Sequence, residues 1–378
     1  MTCDFVALAT AGVQGLTPYQ PGKPIAELER ELGIQNIVKL ASNENPLGPS
    51  EKVLAALKAQ FNDLTRYPDG SGFVLKQALC DHLNEIATTQ SSISPDQLTL
   101  GNGSNDTLNL IARAYLGPGR EAIFSQHAFA VYPIATQAVG AKAVVTPARD
   151  WGHDLAAMQA AITADTRVIF LANPNNPTGT WFNRTEFEAF IKAVPENVIV
   201  VLDEAYFEYV EDPVYPDGLH YLDQHPNLIV TRTFSKAYGL ASLRVGYSVS
   251  HPQIADVINR VRSPFNVDSF ALAAATAALQ DKDYIAESVA LNRQGYQQMT
   301  TALAEKQLAF IPSVGNFISV DFGKDAAPVY EALLREGVIV RPVAGYQMPT
   351  FLRVSIGLPE ENDRFIQALS AESVRAVL

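Results

Sequence analysis

Residues 198–206 read Val-Ile-Val-Val-Leu-Asp-Glu-Ala-Tyr, a run of aliphatic residues that stops abruptly at two acids. A continuous apolar run of this length fits a strand covered on both faces, the kind found in parallel sheets flanked by helices. Val198–Leu202 is one of seven such candidates. The others are Gln97–Leu100, Glu121–Ser125, Ala143–Thr146, Val168–Ala172, Leu228–Arg232 and Gly246–Val249. Amphipathic stretches such as Ser104–Leu116 and Thr185–Val194 separate most of them, which predicts an α/β fold around a mainly parallel seven-stranded sheet. The gap from Thr231 to Tyr247 is too short for a crossover helix and predicts a hairpin or an edge strand.

Beyond Pro264 the pattern changes. Val267–Lys282 and Ile285–Lys306 read as helices, the second long enough to link two domains. A smaller α/β unit follows: strand Phe317–Asp321, helix Pro328–Glu336, strand Val338–Arg341, strand Phe351–Ile356 and a last helix from Pro359. The Gly- and Pro-rich start reads as an arm that packs on other structure. The expected division is therefore an arm over 1–43 joining the small domain, a large domain over 44–284 and a small domain over 285–378.

The chain has 378 residues, 47% hydrophobic and 18% charged, with a formal net charge of −12. That is an ordinary globular composition, and its negative charge opposes non-specific nucleic-acid binding. Cys3 and Cys80 are the only cysteines, so neither a disulfide framework nor a Cys-rich metal site is expected, and a reducing compartment fits. No basic residue precedes the first apolar stretch, which argues against a secretory signal. No apolar run approaches the ~20 residues of a bilayer span. The expectation is a cytoplasmic protein with no membrane, nucleic-acid or metal partner.

Four short strings carry chemistry, each at or near a candidate strand end. Thr233-Phe-Ser-Lys236 places a lysine where it could form an imine with an aldehyde cofactor, while Ser235 and Arg244 could hold that cofactor's phosphate. Asp203, at the carboxyl end of its strand, lies where open α/β sheets place ligands, and it could keep a ring nitrogen protonated. Tyr206 follows three residues on. Asn173-Pro-Asn-Asn-Pro-Thr-Gly179 is a tight connection that could aim the Asn176 amide at the same ring. Gly101-Asn-Gly-Ser-Asn105 could cradle a phosphate at a helix N-terminus. Asp106 stands where a dinucleotide fingerprint has its third glycine, and no Gly-Lys-Ser/Thr follows, which excludes a P-loop. Taken singly, each string has an ordinary explanation: a solvated lysine, a helix-capping aspartate, a turn.

In this order the four strings resemble the fold-type I enzymes that use pyridoxal 5′-phosphate (PLP), the aspartate aminotransferase superfamily, over nearly the whole chain. Leu40–Gly48, Arg66–Gly70, Leu16–Gly22 and Leu352–Gly357 are similar to the histidinol-phosphate aminotransferase branch. The resemblance implies that Lys236 is the Schiff-base lysine and proton shuttle. It implies that Asp203 pairs with the pyridine nitrogen, that Asn176 and Tyr206 contact the phenolic oxygen, and that Phe129 stacks on the ring. Ser104, Asn105, Ser235 and Arg244 would bind the phosphate, and Tyr67 would reach the cofactor of the neighbouring subunit, making a homodimer with shared sites. Arg353, with Arg341 as a second cation, would hold the substrate's anion, and Tyr19 and Asn43 would wall the pocket.

Many relatives have Asp-Glu where this chain has Asn105-Asp106. The phosphate site is expected to survive, because the backbone supplies most of that contact. The implied reaction is ping-pong transamination between a small-molecule amino donor, L-histidinol phosphate, and 2-oxoglutarate. An aromatic amino-acid aminotransferase, a PLP-dependent phosphoamino-acid decarboxylase and a catalytically silent PLP-binding regulator remain alternatives at this point.

Overall fold

The structure, a computed structural model, describes residues 3–86 and 92–378. Seven strands form the main sheet: β1 (Leu98–Gly101), β2 (Glu121–Ser125), β3 (Lys142–Thr146), β4 (Thr166–Ala172), β5 (Ile199–Asp203), β6 (Leu228–Thr233) and β7 (Gly246–Ser250). Their spatial order is β1-β7-β6-β5-β4-β2-β3. Every pairing is parallel except those of β7, which runs antiparallel to both β6 and β1.

Alternation along the central strands explains why they read as unbroken apolar runs. Leu171, Val200, Leu202 and Val230 enter a core with Phe187 and Phe190 on one face. Phe170, Val201 and Ile229 enter a second core with Ile111 and Phe124 on the other. Both faces are dry, so no polar alternation survives. The register aligns Ala172, Asp203 and Thr231 across three neighbouring strands. The carboxyl ends of β4 and β5 therefore stand level with Thr231 of β6.

The second sheet is antiparallel, with strands β8 (Ala309–Ile311), β9 (Phe317–Asp321), β10 (Arg341–Pro342) and β11 (Phe351–Ser355) in the order β8-β9-β11-β10. Its apolar face, with Ile318, Val320, Leu352 and Val354, packs on Leu333 and Phe365. A 24-residue helix, Lys282–Glu305, runs between the two sheets in sequence. The N-terminal arm joins the second sheet's side of the molecule: Val38–Lys39 pairs in parallel with Val338–Ile339, and the Ser355 amide donates to the Leu40 carbonyl.

Several expectations need correction. Of the two forms expected for the short Thr231–Tyr247 connection, the antiparallel hairpin is the one formed; the edge position is not, because β7 is internal, between β6 and β1. The strand expected over Val338–Arg341 is divided: Val338–Ile339 serves the arm while Arg341–Pro342 serves the second sheet. β8 was not foreseen, because Ala309–Ile311 is too short to show a period. The helix expected over Val267–Lys282 spans Ser269–Leu279, capped by the Asp268 side chain on the Ala271 amide. Among the described residues no helix is long and apolar enough to cross a membrane, and no His/Cys/Asp/Glu group could hold a metal.

Candidate active site

Every residue picked out from the sequence as a site residue, except Tyr67, lines a single cavity at the carboxyl ends of the main-sheet strands. The main sheet supplies its floor, the second sheet one wall, and the N-terminal arm its roof.

Lys236 lies three residues beyond the end of β6, and its Nζ donates to the carbonyls of Ser42 and Asn43 in the arm at 3.2 and 3.3 Å. Burial lowers its pKa to about 7, and the nearby Arg353 and Arg244 guanidiniums push the same way. A lysine in this state offers an unprotonated, nucleophilic amine at neutral pH.

Asp203 ends β5 and is buried. The Tyr132 hydroxyl donates to its Oδ2 at 2.9 Å and the Thr231 hydroxyl to its Oδ1 at 3.0 Å. Burial raises its pKa, opposed by these two hydroxyls and by the Ala205 amide. None of the ion pairs among the described residues includes Asp203. Glu204, its neighbour, takes the opposite direction: it is buried against Arg232, which also reaches Asp217. The D-E pair thus splits into one acid facing the cavity and one locked in the core.

An anion cradle stands at the N-terminus of helix α1 (Ser104–Tyr115). The first-turn amides of a helix lack intrahelical acceptors and favour negative charge. Arg244, in a left-handed conformation with φ 52°, donates to Ser235 Oγ at 3.1 Å. A Cβ on Gly103, which has φ +84°, would lie 2.4 Å from Arg244 Nη2. Only glycine lets the guanidinium sit this close to the helix start.

On the opposite wall, Arg353 of β11 is buried, yet its Nε has no hydrogen-bond partner. Its Nη1 donates to Asn176 Oδ1 and its Nη2 to the Ala41 carbonyl at 2.8 Å. Arg341 lies over the half-exposed Tyr19 ring, 5.4 Å from its centroid, and donates to the Gln20 carbonyl. Asn43 donates to the Tyr206 hydroxyl at 2.9 Å, and its backbone amide donates to Ser355 Oγ. Burial raises the Tyr206 pKa to about 12, so it remains a neutral hydroxyl. Phe129 lines the cavity beside Tyr132, edge to face.

Tyr67 stands apart. It is 82% exposed and stacks on Phe265, with centroids 4.7 Å apart. Sequence reasoning passed over Tyr132, Thr231, Ser42 and Ala41. Tyr132 gave a faint signal, three residues after Phe129. Thr231 needs the β5–β6 register to be seen, and Ser42 and Ala41 act through carbonyls that side-chain identity cannot reveal.

These groups fit PLP: a buried carboxylate with no cation for a ring nitrogen, an anion cradle for a phosphate, and an amine between them for an aldehyde. For a second anion, Arg353, whose Nε has no partner, and Arg341 line the same cavity.

Residues 35–369 match the family model described as aminotransferase class I and II. The chain is 64% identical to histidinol-phosphate aminotransferase 2 of Pseudomonas aeruginosa over 97% of its own length and 98% of that protein's. It is 55% identical to histidinol-phosphate aminotransferase 1 of Nitrosococcus oceani, covering 97% of this chain and 96% of that one. Among solved structures, histidinol-phosphate aminotransferase from Sinorhizobium meliloti in complex with pyridoxal-5′-phosphate superposes with a TM-score of 0.88, at 32% identity over 98% of both chains.

Proposed function

The chain belongs to the class I and II aminotransferases, and from that premise we propose that it moves the amino group of L-histidinol phosphate to 2-oxoglutarate with PLP as cofactor. The observation that carries this reading is the convergence, in one cavity, of the Lys236 amine, the Asp203 carboxylate and two separate groups of guanidinium. One anion site, at Arg244 and α1, suits a cofactor phosphate. The other, at Arg353 and Arg341, suits a substrate anion.

When bound, PLP supplies an aldehyde that Lys236 can hold covalently and a ring that draws electrons away from the substrate Cα. The chain's own residues do the rest. Ser235, Arg244 and the amides of Ser104 and Asn105 would hold the phosphate, Phe129 would cover the ring, and Asp203 would pair with the ring nitrogen. Asn176 and Tyr206 would orient the phenolic oxygen. With PLP and substrate bound, the Lys236 amine would take the proton from the substrate Cα and return it to the cofactor carbon, and its lowered pKa in the free site suits a group that must both accept and give up a proton.

Histidinol phosphate carries a phosphate and no α-carboxylate, whereas glutamate and 2-oxoglutarate carry carboxylates. A planar guanidinium accepts either anion in bidentate fashion, so Arg353 can serve both half-reactions, with Arg341 as the second cation. Tyr19 and Asn43 shape the pocket. Tyr67, exposed on this chain, serves a neighbouring subunit's cofactor in a homodimer. The same reading divides the chain into an arm over 1–43, a large PLP-binding domain over 44–284 and a small domain over 285–378, and places it in the cytoplasm.

The test is a panel of amino donors assayed with 2-oxoglutarate on the purified PLP-loaded protein. Glutamate formed fastest from L-histidinol phosphate is the expected result. Preference for phenylalanine would make it an aromatic amino-acid aminotransferase, and carbon dioxide release without 2-oxoglutarate would make it a decarboxylase.

A further inference from the structure

Both oxygens of Asp203 accept hydrogen bonds from hydroxyls: Tyr132 on Oδ2 at 2.9 Å and Thr231 on Oδ1 at 3.0 Å. A buried carboxylate without a cation would otherwise hold its own proton, because burial penalises its charge. Hydroxyl donors stabilise the ionised form more than the protonated one. The buried guanidinium of this sheet, Arg232, is committed to Glu204 and Asp217. Burial, helped by the charge of Asp203, raises the pKa of the neighbouring Tyr206, which stays a neutral hydroxyl.

Tyr132 is built to stay where it is. It is 0% exposed, its ring stacks on Phe170 at 4.8 Å with an interplanar angle of 8°, and it meets Phe129 at 5.9 Å and 89°. One rigid side chain thus braces both the acid and the aromatic residue that flank the ring site.

We propose that Tyr132 is a positioning residue that holds Asp203 ionised, so that a proton shared between this carboxylate and a cofactor's ring nitrogen rests on the nitrogen. Thr231 assists from the other oxygen. Without the Tyr132 hydroxyl the carboxylate becomes more basic and draws the proton to itself. The ring then loses electron-withdrawing power although nothing that touches substrate has changed.

This inference rests on the reading of Asp203 as the partner of the PLP nitrogen. The experiment is 15N NMR of the holoenzyme loaded with PLP labelled at the ring nitrogen, in wild type, Tyr132→Phe, Thr231→Val, Thr231→Ser and Asp203→Asn, with kcat and PLP dissociation constants measured on each. Tyr132→Phe removes one oxygen and keeps the stacked ring. Its nitrogen resonance is expected to move toward that of unprotonated pyridine, and kcat to fall roughly ten- to a hundredfold, the range of a hydrogen bond to a charged group. PLP affinity is expected to change little, since the phosphate cradle is intact. Thr231→Val shifts the same way and Thr231→Ser restores wild type. If Tyr132→Phe does not fold, the Thr231 pair decides, because it tests the same carboxylate. A wild-type resonance in Tyr132→Phe overturns the proposal, provided Asp203→Asn shifts it. If Asp203→Asn leaves the resonance unmoved, the reading of Asp203 itself fails, and this inference with it.

Discussion

Arg353 is tied by one hydrogen bond to the Asn176 side chain and by another to the Ala41 carbonyl, so a cation of the second sheet bridges a main-sheet loop and the N-terminal arm. Its position decides what the pocket can bind. Arg353→Lys keeps the charge but replaces five donors in a planar fork by three on one nitrogen, so it cannot hold an anion in bidentate fashion while also meeting Asn176 and Ala41. The expected outcome is a fall in kcat/KM of roughly a hundredfold for both histidinol phosphate and 2-oxoglutarate. Steady-state kinetics on both half-reactions checks this; a loss confined to one substrate would assign the other anion to a different cation.

The lowered pKa of Lys236 gives a pH signature. Below about 7 the amine of the cofactor-free protein is protonated and cannot attack an aldehyde; above it the amine is free. The rate of PLP capture by the cofactor-free protein therefore rises with pH and levels off above about 7, not near the ordinary lysine value of 10.5. Because Arg353 contributes to the lowering, Arg353→Leu moves the midpoint upward. Stopped-flow measurement across pH reads both.

Gly103 admits Arg244 to the start of α1. In Gly103→Ala the new Cβ, 2.4 Å from Nη2, displaces the guanidinium, and the residue is also held at an unfavourable φ of +84°. Folding stability drops by about 1 kcal/mol or more, and the PLP dissociation constant rises roughly tenfold. Equilibrium unfolding and a PLP titration separate the two effects.

His153 is buried beneath the site, with Nε2 accepting from the Ala172 amide at 3.1 Å. Burial lowers its pKa from 6.5 to about 4. The folded state favours the neutral ring, so its contribution is complete above pH 6.5 and is lost as pH falls toward 4. Over that window the wild type loses up to about 3 kcal/mol that a His153→Gln variant does not. Denaturant titrations of both proteins at a series of pH values provide the comparison.

Much of this was legible in the chain itself. The central strands of the main sheet announced themselves because both faces are buried, leaving aliphatic runs such as Val198–Leu202 that end in chemistry-bearing residues, while the edge strand β3 is largely exposed. Lys236, Asp203 and Asn176 could be picked out because each stands at or just after such an end. Contacts set by pairing across the sheet could not. Thr231 meets Asp203 only through the β5–β6 register, and Tyr132 reaches it from a helix seventy-one positions away in sequence. The inward place of β7 was equally hidden, since a short connection fixes antiparallel pairing but not what lies on the strand's other side.

The central claim is that Lys236 is the lysine that holds the cofactor. Borohydride reduction of the PLP-loaded protein, followed by proteolysis and peptide mass mapping, tests it most directly. The phosphopyridoxyl mass is expected on the peptide carrying Lys236 and to vanish in Lys236→Ala. The label on a different lysine of the wild-type protein, or no label at all, would contradict the account.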